Sequence, residues 1–277
     1  MKKLIKNPLS LFLRIIVYFS AAATMLVLVS LVGYIVIKGI PVLKPSLFEW
    51  EYTSENVSMM PAIFNTIIMT VVSLGIAVPI GVFSAIYLVE YAKKGNKFVS
   101  LVRVTTETLS GIPSIVYGLF GSLVFVEYLQ FGKSILSGAF TMSIMILPIV
   151  MRTTEEALIA VPDSFREGSF GLGAGKLRTV FKIVLPSAMP GILSGVILGV
   201  GRIVGETAAL IYTAGTVTGI PKDLMSSGRT LSIHMYALWN EGLNAEESYA
   251  TAVVLLLIVI VINAISSKLA NKLVKKG

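Results

Sequence analysis

Two groups of residues in this sequence have types and spacings that could do chemistry. The first is Gly201-Arg202-Ile203-Val204-Gly205-Glu206-Thr207, where a guanidinium and a carboxylate stand four apart inside a long apolar run. A charge at membrane depth costs at least ~2.5–3.5 kcal/mol on insertion scales, so it needs a partner or a wet cavity. Arg202 and Glu206, four apart on the fifth span, share one face, and two readings follow. In one, they form a buried ion pair that fixes helix packing or a subunit interface. In the other, Arg202 presents its planar multi-donor fork to a passing oxyanion. Glu206 then offsets the positive charge, because conduction requires binding weak enough to release. The hydroxyls of Ser110, Ser114, Thr207 and Thr213 could donate along such a route, although hydroxyls in membrane helices commonly bond backbone carbonyls or neighbouring helices.

The second group lies in a polar segment between apolar runs. It reads Glu167-Gly168-Ser169, three residues, Gly173, nine residues, then Ile183-Val184-Leu185-Pro186. Asp163 follows Pro162 and precedes Arg166-Glu167, which predicts an N-cap and a short helix over about 163–171, ended by the glycines at 171 and 173. Few of its residues are apolar, so burial alone would not hold it. A short amphipathic helix bracketed by turns suits docking into a partner's groove. The nearby Gly171-Leu-Gly173-Ala-Gly175-Lys176-Leu177 imitates a phosphate-cradling loop. Phe170 and Leu177 stand where the pattern needs glycine and Ser or Thr, and no strand precedes it. ATP hydrolysis by this chain is therefore not expected.

Other chemistries are poorly served. The chain has no cysteine, which excludes disulfides, thiolate metal sites and cysteine nucleophiles. Its lone histidine, His234, has no second ligand at metal-site spacing and reads as a surface or interface residue.

The elements that must position these groups are membrane helices. Hydrophobic residues make up 55% of the chain and charged ones 14%, against roughly 25% charged in soluble domains. About 20 apolar residues cross the hydrocarbon core, and six stretches qualify, at approximately 14–37, 62–90, 105–129, 134–154, 184–214 and 248–270. The first outruns a signal-peptide core and reads as a retained span. Glycines spaced by four at 191, 195 and 199, and at 201 and 205, form small-residue stripes that let helices approach.

Charge sets the sidedness. Lys2, Lys3, Lys6 and Arg14, then Lys93, Lys94, Lys97 and Arg103, fall on one side. Arg152, Arg166, Lys176, Arg178 and Lys182 join them, followed by Lys268, Lys272, Lys275 and Lys276. The opposite side holds only Lys38, Lys44, Lys133, Lys222 and Arg229. The first side belongs in the cytoplasm, with both termini. Two outer segments, 38–61 and 215–247, are long enough to fold on that surface. The formal charge of +8 is clustered between apolar runs, which argues against nucleic acid. The organisation expected is a cytoplasmic N-terminus over 1–13, a first span with outer segment over 14–60, a transmembrane domain over 61–270 containing the loop 155–182, and a basic tail over 271–277.

The spacing from Glu167 to Pro186 resembles the Glu-Ala-Ala signature of permeases of binding-protein-dependent ABC importers. Gly168 and Ser169 replace its two alanines. Both are small enough for close packing, although helix propensity falls by up to about 1 kcal/mol at Gly168. Arg202-Ile-Val-Gly-Glu206-Thr207 is similar to the segment of phosphate ABC permeases whose arginine and glutamate are implicated in phosphate passage. Ser110-Gly-Ile-Pro-Ser-Ile-Val-Tyr-Gly-Leu-Phe-Gly121 and Leu147-Pro-Ile-Val-Met-Arg-Thr-Thr-Glu-Glu-Ala-Leu158 also resemble that family. The Arg-Thr-Thr-Glu-Glu form and Thr207-Ala-Ala-Leu-Ile-Tyr-Thr-Ala-Gly215 are closer to its PstA branch than to PstC.

The resemblance implies an all-α polytopic membrane protein with six transmembrane helices and a cytoplasmic coupling helix, the type I ABC importer permease fold. It implies substrate-pathway roles for Arg202, Glu206 and Thr207. It implies ATPase coupling through Glu167, Gly168, Ser169, Gly173, Ile183, Leu185 and Pro186. The implied partners are a homologous PstC-type permease, a PstB-type ATPase dimer, an external PstS-type phosphate-binding protein and membrane lipid. No cofactor binds directly; ATP and Mg belong to the ATPase. A permease for sulfate or molybdate, the PstC-type subunit itself, and a stand-alone secondary transporter remain alternatives, the last disfavoured because no inverted repeat is evident.

Overall fold

The computed structural model describes residues 8–93, 95–242 and 244–274. Lys2, Lys3, Lys6, Lys94, Lys275 and Lys276, which entered the charge count, lie outside the described residues. Among the described residues the regular structure is entirely helical. The elements are α1 (Pro8–Gly39), α2 (Met60–Ile86), α3 (Lys97–Ser110), α4 (Ser114–Gly121), α5 (Ile135–Ile159), α6 (Asp163–Gly171), α7 (Lys176–Thr179), α8 (Leu185–Gly205), α9 (Ala208–Thr213), α10 (Leu231–Glu241) and α11 (Ala245–Val274). Wider π-helical turns extend α2 through Tyr87–Tyr91 and α4 through Ser122–Tyr128, and join α7 to α8 through Val180–Val184.

Five helical runs are long and apolar enough to cross a membrane: α1, α2 with its π turn, α5, the run Lys176–Gly205 and α11. A sixth exists if α3 and α4 form one broken span, bent by 105°. The six predicted stretches thus coincide with helices, but the third is bent where Gly111 and Pro113 fall and the fifth is interrupted after Gly205.

In the third, Pro113 lacks an N–H and disfavours helical geometry at Ile112. The chain turns there, and the Leu109 carbonyl accepts from Ile112 N at 3.1 Å and from the Tyr117 hydroxyl at 2.8 Å. Membrane helices tolerate breaks when neighbours satisfy such groups. α3, started by Asn96 accepting from Phe98 N at 2.9 Å, mixes Lys97, Arg103 and Glu107 with exposed Phe98, Leu101 and Val104. That composition suits an interfacial helix. The fifth stretch also breaks. α8 stops at Gly205 and Glu206 is extended, with φ −75° and ψ 129°.

α5 is the central helix, with 67% of its most apolar window buried, against 0% for α1. Glycines let neighbours close on it. A Cβ at Gly191 would lie 2.5 Å from that of Ala157, one at Gly81 would lie 2.8 Å from Val150, and one at Gly195 would run into Thr153. Gly199 is looser, and Gly201 and Gly205 have nothing within 4 Å. The predicted stripe therefore holds at 191 and 195 and fails at 201 and 205.

At the end opposite the basic loops, the outer segment 215–247 keeps Val217, Ile220, Leu224 and Met225 exposed, but residues 228–234 are buried. Leu231 and Leu238 of α10 pack with Leu47, Val57, Met59, Ala62 and Ala250. His234 is 0% exposed, which corrects its placement at the surface: α10 is wedged between residues 47–62 and α11. α1 touches the rest chiefly near its end, where Gly39 approaches Tyr249 and Val253 and the Tyr34 and Tyr249 rings meet edge-on at 5.8 Å.

Candidate functional site

Arg202 lies in the last turn of α8, where a positive side chain complements the unsatisfied carbonyls. It is half-buried. Among the described residues it has no ion-pair or hydrogen-bond partner. The intrachain Arg202–Glu206 pair is thus not formed, because the helix that would align them ends between them. Glu206, 8% exposed, spends its carboxylate on α9 instead, accepting from Ala209 N at 3.0 Å. Its carbonyl accepts from Ser232 Oγ at 2.5 Å, so α10 satisfies the backbone freed by the break.

The second broken span meets the first. A Cβ at Gly118 of α4 would sit 2.7 Å from the Ala209 Cα, and one at Gly121 would sit 2.8 Å from Thr213 Cγ2. The second half of α4 therefore packs alongside α9, and Tyr117 lies within electrostatic reach of Arg202. Of the four hydroxyls, Ser110 donates to Thr106 O and Thr213 to Ala209 O, each at 2.9 Å. Both are spent on their own helices. Thr207, half-buried, and Ser114 make no side-chain hydrogen bond among the described residues. An unpaired guanidinium beside two helix breaks can bind and release an oxyanion.

A buried polar cluster supports this region from the far end. The Arg229 guanidinium, on a residue 3% exposed, stacks 4.7 Å above the Tyr52 ring. His234 meets the same ring edge-on at 6.1 Å. Arg229 Nε and Nη2 and both His234 nitrogens have no hydrogen-bond partner among the described residues. Burial first, then the Arg229 charge, pushes His234 down to about 3, against a smaller opposing pull from the Val57 backbone. This cluster was not apparent in the sequence, since nothing local marks Arg229 or Tyr52 as buried.

At the basic end, α6 spans the predicted residues, with two differences. Pro162 is the N-cap, and Asp163 opens the helix without capping it; its carboxylate accepts from Arg166 at 3.2 Å instead. Gly168 is exposed with nothing within 4 Å, so within this chain its smallness serves no packing. Ser169 does pack: it is 4% exposed and its hydroxyl bonds that of Thr179 at 2.8 Å. Gly173, at φ +82°, closes the helix in a conformation that favours glycine. Glu167 is exposed; Ile183 and Leu185 are half-buried and Pro186 is exposed. Around Glu167 the loop displays Phe165 at 48%, Phe170 at 48%, Leu177 at 66% and Leu172 at 92% exposure. Large apolar side chains clustered on a polar loop mark an interaction surface.

Between α3 and α5 at the same end lies a cavity of about 360 Å³ lined by Arg103, Glu107, Arg152, Glu155 and Glu156. Arg103 pairs with Glu155 and Arg152 with Glu156. The sequence shows only the α5 half of this cluster, as Arg152-Thr-Thr-Glu155-Glu156; the bend that brings α3 over it is not local.

A bundle of membrane helices with two broken spans, an unpaired arginine within one of them and a short exposed helix between two others defines a transport permease. Residues 77–276 match the family described as the binding-protein-dependent transport system inner membrane component, and the chain belongs to that family. The "Probable ABC transporter permease protein YqgI" of Bacillus subtilis is 32% identical over 279 residues, covering 92% of this chain and 93% of that protein. "Phosphate transport system permease protein PstA 1" of Mycobacterium tuberculosis is 35% identical over 207 residues, covering 73% and 67%. Among solved structures, a bacterial alginate ABC transporter in complex with a pentasaccharide-bound periplasmic protein aligns with TM-score 0.63 at 16% identity over 93% of this chain and 96% of that one. The inward-facing MetNI methionine ABC transporter gives TM-score 0.59 at 18% identity over 78% and 94%. These likenesses carry the fold, that of a type I ABC importer permease. PstA permeases are thus homologues of this chain, which is a subunit of a membrane transporter.

Proposed function

We propose that this chain forms, with a homologous PstC-type subunit, the route for inorganic phosphate in an ATP-driven importer of the inner membrane. The observation that carries the phosphate reading is Arg202, a half-buried guanidinium left unpaired at the break between α8 and α9. Such a group is costly unless an anion visits it, and its planar fork matches a tetrahedral oxyanion. Similarity to PstA 1 supports phosphate over other oxyanions. The basic end faces the cytoplasm with both termini, as the excess of Lys and Arg requires. There the exposed apolar patch of α6 and α7, with Glu167 beside it, docks on an ATPase dimer that holds the ATP and Mg. The far end, capped by α10, receives the external binding protein. Glu206 holds the start of α9 and offsets the charge of the route, and Thr207 offers its hydroxyl there.

The test is the complete complex in proteoliposomes, with ATP inside the compartment facing the ATPase and phosphate-loaded binding protein opposite. ATP-dependent phosphate uptake is expected, with sulfate left behind. Equal uptake of sulfate and phosphate would refute the substrate assignment, and uptake without ATP would refute the importer class.

A further inference from the structure

The loop containing α6 is attached by its own backbone to α5 and α8. A third attachment is not covalent. Arg166 makes five hydrogen bonds: Nε and Nη2 donate to Glu90 Oε1 at 3.1 and 2.7 Å, Nη1 donates to Val161 O at 2.8 Å and to Asp163 Oδ1 at 3.2 Å, and Nη2 donates to Leu158 O at 2.9 Å. A guanidinium has five N–H donors, so its capacity is used. The Arg166 and Glu90 side chains are only 14% and 8% exposed. Beside them, Lys176 Nζ of α7 stands 5.0 Å from the centre of the Tyr91 ring. Glu90 and Tyr91 both belong to the π turn that ends α2, and such turns occur often at functional sites.

α6 buries a single residue, Ser169. Apolar packing within the chain cannot hold it, and the Arg166–Glu90 contact is what fixes it to α2. The other end of α2 is joined to the far-end cap. Thr66 Oγ1 accepts from Leu231 N at 2.8 Å, and Asn65 Nδ2 donates to Arg229 O at 3.1 Å. Next to Leu231, Ser232 holds the Glu206 carbonyl. One helix, α2, with Pro79 in its interior, thus runs from the lever to the element that shapes the break beside Arg202.

We propose that Arg166 and Glu90 are positioning residues of the transport cycle, clamping α6 onto α2 so that α2 carries the lever's movement to the cap that holds Glu206. This deepens the importer reading and rests on it. Covalent attachment to α5 and α8 alone moves the basic end; the clamp adds a push on the far end.

The experiment uses the complete complex in proteoliposomes and counts phosphate moved per ATP hydrolysed. Glu90→Gln is expected to leave assembly intact and ATP hydrolysis within about twofold, while phosphate moved per ATP falls about tenfold. Arg166→Lys keeps the charge without the fork and falls between. Thr66→Val, at the other joint, lowers the ratio too, and combining it with Glu90→Gln lowers it no further than the worse single change. The chain has no cysteine, so Glu90→Cys with Arg166→Cys can be bridged by a short reversible thiol cross-linker. Bridging restores the ratio and reduction abolishes it, which loss of folding would not reproduce.

An unchanged ratio in an assembled Glu90→Gln complex overturns the clamp. Should that variant fail to assemble, a bridged pair that assembles and stays uncoupled overturns it equally. If the unaltered complex moves no phosphate, the function reading fails instead. The clamp is then read from spin labels at Tyr128→Cys and Trp239→Cys, whose separation changes on ATP addition only while Glu90 is present; a change that survives Glu90→Gln overturns it.

Discussion

Replacing Arg202 by Gln removes the charge at the end of α8 and keeps a polar side chain of similar reach. Stability and transport then move in opposite directions. Had Arg202 been half of a buried ion pair, cutting it would strand Glu206 and cost about 3–5 kcal/mol. The Glu206 carboxylate has its own partner, Ala209 N at 3.0 Å, which the substitution leaves in place. What disappears is an unpaired guanidinium, whose full membrane burial costs ~2.5–3.5 kcal/mol. Because the residue is not fully buried, less than that, at most ~2.5 kcal/mol, is expected to return as stability. For transport, a hydrogen bond to a charged group contributes ~1.5–3 kcal/mol, and a guanidinium can give an oxyanion two. The lower bound of ~3 kcal/mol corresponds to a loss of roughly a hundredfold. One preparation answers both questions, through ATP-driven uptake of radiolabelled phosphate and the thermal unfolding midpoint of the detergent-solubilised complex. Uptake within a few-fold of the unaltered complex, or a midpoint several degrees lower, would refute the reasoning.

Four further outcomes are expected. Gly195→Val forces a branched side chain into Thr153 and should cost about 1–3 kcal/mol as overpacking. Gly201→Ala, with nothing within 4 Å, should stay within about 0.5 kcal/mol, by thermal unfolding. His234 sits near 3 when folded, below its ordinary 6.5, so the unfolded chain binds the extra proton and stability falls as pH drops below about 6.5. Between about pH 7.5 and 5.5 the loss is ~1.4 kcal/mol, and His234→Phe should flatten that slope in a pH series of unfolding midpoints. Leu172→Asp and Glu167→Lys, on the exposed face of the loop, should weaken co-purification of the ATPase while this chain still inserts; unchanged recovery would count against the docking surface.

The sequence reveals most where interactions are local. Six apolar stretches mark the spans because hydropathy is additive along a chain, and α6 lies within its expected residues because proline, first-turn acid and terminal glycines act over a single turn. Arg202 and Glu206 stand out as charges within an apolar run. Their relation does not, since it depends on whether the helix continues past Gly205. Where it stops, the Glu206 carbonyl takes its bond from Ser232, 26 positions away. His234 fails for the same reason: α10 is short and mixed in composition, and only residues 47–62 and α11 decide that it is buried. Arg166 and Glu90 are separated by 76 positions, and neither carries a local sign of the other.

α1 has one more practical meaning. A 32-residue rod with almost every large side chain turned outward is sheathed comfortably by lipid tails or by a neighbouring protein, and by little else. Once extracted alone, the chain will seek any greasy company, including other copies of itself. Specimens for biochemistry are therefore best made by co-expression with companion subunits and kept in a bilayer-like disc, where that long flank is never bare.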